Sequence, residues 1–386
     1  MQILYETQDK SKRAFLVSIV GGGSGDQAKA VELEGLCESL GLVIAAHEKI
    51  RVREKSPRFG MGSGKAQELS QKAAETESDL LVFDWNPSPS QQRNWEELSA
   101  LPVVDRQELI IRIFAERATT REAELQVKLA ELTYFLPRLT HKYIDLSRQK
   151  GGRYGTKGSG ETKLETDRRK IEKRIHLLEE EIKQVRKQRQ EQRRRRERSN
   201  IPVCAIVGYT NAGKSCLLNA LTGADVIAQD KLFCTLDAVT RRFEPAPSAP
   251  VLLTDTVGFI RDLPHSLIKA FHSTLEEAAL ASLLIHILDA SDPAIEDNYK
   301  TTISVLKELN AHEIPIIILL NKIDRLPTGG ESTALEDLLK RFPDGIAVSV
   351  KNNVGLDILK EKIVESVFSQ RRKDAKTAEL LSECHS

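Results

Sequence analysis

Short apolar runs alternate with amphipathic stretches through the first third of the chain. Ala14-Phe-Leu-Val-Ser-Ile-Val20, Leu42-Val-Ile-Ala-Ala46, Leu80-Leu-Val-Phe-Asp84 and Pro102-Val-Val104 read as strands. Between them Asp26–Leu40, Lys65–Glu75, Ser88–Ala100 and Arg106–Arg117 read as helices. Ser88 or Ser90 is placed to cap the third helix and Asp105 the fourth. Strands alternating with helices predict a small parallel sheet covered by helices.

From residue 117 the period changes. Ala123, Leu125, Val127, Leu129, Leu132, Phe135 and Leu136 recur at helical spacing within Thr120–Arg138. Leu164, Ile171, Ile175, Leu178, Ile182 and Val185 follow a repeat close to 3.5 residues within Glu161–Arg198. Two such helices joined by a loop predict an antiparallel coiled-coil hairpin. Its tip is Gly151-Gly-Arg-Tyr-Gly-Thr-Lys-Gly-Ser-Gly160, glycine-rich, cationic and carrying one aromatic ring.

After residue 200 buried strands return: Pro202-Val-Cys-Ala-Ile-Val207, Val251-Leu-Leu-Thr-Asp255, Ser282-Leu-Leu-Ile-His-Ile-Leu-Asp289, Ile314-Pro-Ile-Ile-Ile-Leu-Leu320 and Ile346-Ala-Val-Ser-Val-Lys351. His286, inside one of them, reads as a core histidine rather than a catalytic one. The pattern sets an α/β expectation with four segments. These are an N-terminal parallel α/β domain (1–116), a helical hairpin (117–200), a second α/β domain (201–368) and a tail (369–386).

The chemistry sits at strand ends. Gly208-Tyr-Thr-Asn-Ala-Gly-Lys-Ser215 follows the first strand of the second domain and opens a helix, with the spacing of a phosphate-binding P-loop. Gly208 and Gly213 allow the backbone to wrap a phosphate, and the helix adds the positive end of its dipole. Candidate phosphate contacts are Gly208, Asn211, Ala212, Gly213, Lys214, Ser215 and Cys216. Lys214 can reach the β- and γ-phosphates, and the Ser215 hydroxyl can ligate Mg²⁺. Asp255, closing its strand in Asp255-Thr-Val-Gly258, belongs near the same ion, and the Gly258 N–H near the γ-phosphate. A switch threonine that ligates Mg²⁺ is either Thr235 or Thr240. Asn321-Lys-Ile-Asp324 ends another strand. The Asp324 carboxylate can accept both N1–H and N2–H₂ of guanine, which adenine does not offer, and this selects GTP over ATP. Ser349, Val350 and Lys351 close the base site with amides near guanine O6. Together these motifs describe a Ras-like P-loop GTPase domain using GTP/GDP and Mg²⁺, with Lys214, Gly258 and whichever of Thr235 and Thr240 is the switch threonine as candidate catalytic groups. Phe259 stands where Ras-like enzymes place a water-orienting glutamine, which predicts slow hydrolysis by the isolated protein.

Charge changes the picture of the hairpin. The chain carries 57 Lys/Arg against 56 Asp/Glu, but residues 141–200 hold 20 of the former and 10 of the latter. Arg186–Arg198 is nearly devoid of apolar residues, and its guanidinium density suits phosphate-backbone contact as well as a solvated helix face. Arg58-Phe-Gly-Met-Gly-Ser-Gly-Lys65 reads either as a flexible loop before a helix or as a basic loop touching phosphate or RNA. Trp85-Asn-Pro-Ser-Pro-Ser90 reads as a rigid turn without chemistry. Five scattered cysteines with no C-x-x-C pair argue against a disulfide framework or a zinc site. With no signal-like N-terminus and no apolar run of ~20 residues, no membrane span and a cytoplasmic location are expected.

Several segments resemble the HflX family of bacterial GTPases over residues 1 to about 368. They are Gly151-Gly…Gly155-Thr…Gly158…Gly160-Glu-Thr…Leu164-Glu-Thr-Asp-Arg-Arg169, Asp105-Arg…Glu108-Leu-Ile, Thr120-Arg-Glu-Ala-Glu-Leu-Gln-Val127 and the second-switch-like Asp255-Thr-Val-Gly-Phe-Ile-Arg-Asp-Leu-Pro264. Departures are Arg153-Tyr154 and Ser159 in the tip and Trp85-Asn-Pro87, where a more acidic turn is expected. The resemblance favours Thr235 over Thr240. It implies a factor that binds the large ribosomal subunit, approaches ribosomal RNA with its N-terminal domain and arm, and dissociates stalled ribosomes under stress; a monomer is expected in solution. A GTPase of subunit assembly or RNA modification, and a GTP-switched RNA-binding scaffold, are the alternatives. A second nucleotide site at Gly60–Lys65 is a further one.

Overall fold

The computed structural model describes residues 12–21, 24–54, 56–149, 159–197, 201–225, 232–247, 249–261, 277–327 and 334–367. The chain divides into two compact units, one of residues 1–186 with 263–270 and the other of 187–262 with 271–386.

The first unit is built on four strands, β1 (Arg13–Ile19), β2 (Val43–Ile50), β3 (Leu80–Phe83) and β4 (Val103–Asp105). All pair in parallel in the order β2-β1-β3-β4. The crossovers are α1 (Ser24–Ser39), α2 (Ser63–Glu75) and α3 (Pro89–Ser99), and α4 (Arg106–Arg117) follows β4 directly. β3 is buried at every position because helices cover both faces of such a sheet, which is why these strands read as continuous apolar runs. Of the two serines, Ser88 is the cap of α3, its hydroxyl accepting from the Gln91 amide at 3.2 Å while the Gln91 side chain accepts from the Ser88 amide. Asp105 caps α4 by accepting from the Glu108 amide at 2.8 Å.

The loop at Arg58–Lys65 departs from the flexible reading. Phe59 and Met61 are buried, Trp95 Nε1 donates to the Phe59 carbonyl at 3.0 Å, and Asn94 Nδ2 donates to the Arg58 carbonyl at 2.8 Å. Two apolar side chains among the glycines anchor the turn, and α2 begins within it at Ser63.

The hairpin consists of α5 (Arg121–Gln149) and α6 (Ser159–Glu197). Leu125, Leu178 and Ile182 form its buried seam, with Leu129, Leu132 and Val185 packed against them. Leu178, Ile182 and Val185 belong to the 3.5-residue repeat of the second helix and Leu125, Leu129 and Leu132 to the helical spacing of the first, and truncating Leu178 to Ala costs about 2–5 kcal/mol. α5 runs past the expected end at Arg138, carrying Pro137 inside it. The loss of one backbone donor is outweighed by the packing of the flanking turns: Tyr134 is buried, and the Arg138 guanidinium stacks 3.6 Å above its ring. α6 starts at Ser159, so Ser159 and Gly160 are helical rather than part of the tip. Residues 151–158 of that tip lie outside the described residues, as do the Leu164 side chain and Asp262–Pro264.

The second unit holds six strands: β5 (Val203–Gly208), β6 (Val239–Phe243), β7 (Val251–Asp255), β8 (Leu283–Asp289), β9 (Ile316–Asn321) and β10 (Ile346–Ala347). Their order is β10-β9-β8-β5-β7-β6, parallel throughout except for β6. Helices α7 (Lys214–Thr222), α8 (Ile295–Glu308), α9 (Ala334–Arg341) and α10 (residues 356–367) complete it. β6 was not expected. It is an antiparallel edge strand with Arg241 and Arg242 exposed, so its sequence lacks the buried-strand signature. The segment expected as a strand to Lys351 is one only at Ile346–Ala347. Beyond it the chain turns, with Ser349 bridging to Val354. His286 is fully buried in β8 and stacks on Tyr299 at 5.3 Å, and burial pushes its pKa down to about 3, so it sits neutral in the core. Among the described residues no helix is long and apolar enough to cross a membrane.

Candidate nucleotide site

The second sheet reverses at β5. Its neighbours β7 and β8 lie on opposite sides, and such a reversal opens a crevice at the carboxyl ends of the strands. The P-loop leaves β5 there. Gly208 has φ +150° and Gly213 φ +102°, and a Cβ at either would collide, with the Ile287 carbonyl in the first case and the Asn321 amide in the second. Gly213 is the N-cap of α7 in a left-handed conformation, with no side chain to block the first amides of the helix. Asn211 also takes positive φ, at +61°.

Lys214 is buried and donates to the Tyr209 carbonyl at 2.9 Å. Desolvation lowers its ammonium to about 8 against the pull of Asp255. The Ser215 hydroxyl donates to Asp255 Oδ2 at 2.6 Å and lies 2.7 Å from Thr235 Oγ1. Three oxygen-bearing side chains from the P-loop, the following loop and the end of β7 therefore converge. Burial pushes the Asp255 carboxyl up, opposed first by Lys214 and then by the Ser215 and Thr235 hydroxyls. Asp255 Oδ1 is buried with no hydrogen-bond partner. An all-oxygen set with one orphaned carboxylate oxygen fits a hard divalent cation such as Mg²⁺. Thr240 is elsewhere: it lies in β6 and meets Thr254 across the ladder at 2.9 Å.

The base-site residues assemble at the end of β9. Ser349 Oγ donates to Asp324 Oδ1 at 2.5 Å, and this bond holds the Asp324 carboxyl below its ordinary range. Asp324 is exposed and free to accept from a second partner. Asn321 turns inward instead. Its Nδ2 donates to the Ala212 carbonyl at 2.9 Å, while its Oδ1 accepts from the Val350 amide at 3.1 Å. It thus ties the P-loop to the Ser349–Lys351 turn. Lys322, at φ +65°, pairs with Asp289 at 2.7 Å, and Lys351 is exposed near Asp324.

One pocket is lined by Thr210, Asn211, Gly213, Lys214, Ser215, Cys216, Phe233, Cys234, Thr235 and Gly258. Seven of the residues expected from sequence line it. Thr210, Phe233 and Cys234 were not singled out; Phe233, buried at φ +57°, is bent toward the pocket by a backbone conformation that no pattern reveals. Phe259 is buried rather than presented to the pocket.

Comparison with known proteins agrees over nearly the whole length. Residues 27–115 match a family described as GTP-binding GTPase N-terminal, 117–196 the GTP-binding GTPase middle region, and 203–322 a 50S ribosome-binding GTPase family. The GTPase HflX of Akkermansia muciniphila is 46% identical over 385 residues, covering 96% of this chain and 88% of that one. The GTPase HflX of Escherichia coli K12 is 40% identical over 369 residues, covering 95% and 85%. Among solved structures, the complex of SsGBP with GDP is similar at 25% identity and a TM-score of 0.51, covering 93% of this chain and 99% of that one.

Proposed function

Because this chain belongs to the HflX family of GTPases, we propose that it is a GTP-switched factor that joins the large ribosomal subunit and promotes dissociation or rescue of ribosomes under stress. GTP binding and hydrolysis come with the family. The observation that carries the finer reading is the pairing, in one chain, of a 50S ribosome-binding type of GTPase module with a long helical hairpin whose second helix is rich in arginine toward its C-terminal end. Closely spaced guanidinium groups suit an RNA phosphate backbone.

Within the site, Lys214 and the amides of Gly208–Cys216 hold the β- and γ-phosphates, and the Gly258 N–H meets the γ-phosphate. Ser215, Thr235 and Asp255 would hold Mg²⁺, which supplies charge neutralisation on the phosphates when bound. Asp324 reads the guanine edge, with Asn321, Lys322 and the Ser349–Lys351 turn framing the ring. A buried phenyl ring at Phe259 orients no water, so hydrolysis is slow until the ribosome acts on the switch segments.

The test is sedimentation with intact ribosomes and with separate subunits, comparing a non-hydrolysable GTP analogue with GDP. The expected result is analogue-dependent binding to large subunits with loss of the intact-ribosome peak. Preference for assembly intermediates over mature subunits would turn the reading to assembly, and absence of ribosomal association in both states would overturn it.

A further inference from the structure

The geometry points to the Thr210 hydroxyl as the group that orients the attacking water on the γ-phosphate, the task that Phe259 leaves undone. Thr210 occupies the P-loop turn, lines the nucleotide pocket and is 6% exposed. Its Oγ1 is buried with no hydrogen-bond partner. The other polar side chains that build the cradle are engaged: Lys214 with the Tyr209 carbonyl, Ser215 with Asp255 and Thr235, Asn321 with Ala212 and Val350. An unpaired buried hydroxyl is unfavourable unless a partner arrives in the working state.

The backbone fixes where Thr210 sits. Phe259 N–H donates to the Gly208 carbonyl at 3.1 Å and Thr210 N–H donates to the Phe259 carbonyl at 2.8 Å, so the P-loop and the segment after β7 form a short parallel bridge. The bridge presses Thr210 against Gly258. A Cβ on Gly258 would lie 2.8 Å from Thr210 Cγ2, 2.9 Å from Thr210 Cα and 2.9 Å from Lys214 Nζ. The Thr210 methyl and Cα, the Gly258 backbone and the Lys214 ammonium therefore surround one point, with the Thr210 hydroxyl carried on the same Cβ as that methyl, and Gly258 has to be glycine because the space belongs to the other two.

A hydroxyl both donates and accepts. Thr210 Oγ1 accepts from the attacking water and donates to a γ-phosphoryl oxygen, which holds the water in line with the bond to be broken. The water oxygen bonds to Pγ, the bond from Pγ to the β–γ bridging oxygen breaks, and GDP leaves with the electron pair. The water protons end on inorganic phosphate and solvent.

The test uses the full-length chain. Thr210→Val keeps the shape and removes the hydroxyl, whereas Thr210→Ser keeps the hydroxyl. Single-turnover GTP hydrolysis, GDP affinity and capture of GDP with aluminium fluoride are measured for both. Thr210→Val is expected to bind GDP within about twofold of the parent, to hydrolyse GTP about ten- to a hundredfold more slowly, and to lose the aluminium fluoride complex. Thr210→Ser should restore both. Hydrolysis by Thr210→Val at the parent rate overturns the assignment, as does a Thr210→Ser variant as slow as Thr210→Val. The inference rests on the phosphate-site reading, which GDP binding by the parent protein tests separately: no binding there would defeat that reading before the variants are compared.

Discussion

The two sheets reverse direction at their first strands in the same way, with opposite contents. β1 lies between β2 and β3 as β5 lies between β8 and β7, and each reversal makes room at the carboxyl ends of its strands. In the first unit the charged groups near that end pair with one another. The Arg106 guanidinium, buried at the start of α4, pairs with Glu32 from α1 and with Asp84 from the end of β3 at 2.9 Å. Beside them Ser18 lies 2.9 Å from His47 Nε2, and His47 Nδ1 lies 2.5 Å from Glu34. In the second unit a buried ammonium and an orphaned hydroxyl line a pocket, and Asp255, with an orphaned carboxylate oxygen, is bonded to Ser215 of its wall. Topology supplies the crevice, and the side chains decide whether it is a core or a site. On this comparison, removing a charge from the first unit costs stability, whereas removing one from the second costs binding.

Arg106→Met is the strongest way to break it. The substitution leaves Glu32 and Asp84 buried without their cation, so about 3–5 kcal/mol of stability should be lost in urea denaturation. Affinity for GDP should stay within about twofold, since nothing in the nucleotide pocket has changed. A small stability loss would mean that the first unit's ion cluster is as dispensable as a surface pair.

Lys214→Met is the mirror experiment. Burial drives the Lys214 ammonium down to about 8, so keeping it charged at neutral pH is already unfavourable. Without ligand the variant should therefore be as stable as the parent or more so. GTP affinity should fall by about a hundredfold, the equivalent of about 3 kcal/mol for lost hydrogen bonds from a charged group. Equilibrium binding and thermal melts on the same sample separate the two effects. A destabilised variant with intact affinity would reverse the comparison.

Asp324→Asn sharpens the base-site half. The Asp324 carboxylate is exposed and held ionised by Ser349, and in the proposed function it accepts two guanine donors. An amide replaces one acceptor by a donor, so discrimination between GTP and xanthosine triphosphate should swing by about 2–3 kcal/mol toward the latter. Unchanged preference for guanine in a competition assay would remove Asp324 from the base site.

Much of this was legible before any coordinates, for a physical reason. Gly208, Asp255 and Asn321 each end an apolar strand, and Gly213, Lys214 and Asp324 follow in the turns that leave those ends, so strand, turn and chemical type report together. β6 was not legible, because an edge strand with Arg241 and Arg242 in solvent has no apolar periodicity to read. Thr210 was hidden differently: the spacing of the P-loop constrains its glycines and Lys-Ser, and leaves the residues between them free. Asn321 was placed at the base from its motif, but its bond to the Ala212 carbonyl joins positions 109 residues apart, which only the folded sheet brings together. The Arg58–Lys65 loop misled through its glycines, since the burial of Phe59 and Met61 depends on Trp95 and Asn94.

The smallest expected effect concerns a group that belongs to neither class. His286 is buried in the second unit yet takes no part in the pocket; both ring nitrogens lack hydrogen-bond partners, Tyr299 stacks on the ring and the Lys214 charge disfavours its protonation. Its pKa is pushed from 6.5 in the free state to about 3, chiefly by burial. Below pH 6.5 the unfolded chain takes up a proton that the folded chain refuses, so stability present above pH 6.5 is lost progressively as the pH falls toward 3. At pH 5 that loss is about 2 kcal/mol, from about 1.4 kcal/mol per pH unit. His286→Phe preserves the aromatic stack and removes the titration. Urea denaturation from pH 7 to 5 should therefore show the parent losing about 2 kcal/mol more than the variant, whatever constant offset the larger ring introduces. Parallel pH profiles would mean that His286 finds a hydrogen-bond partner and takes up its proton as the free side chain does, and the core of the second unit would then have to be redrawn around it.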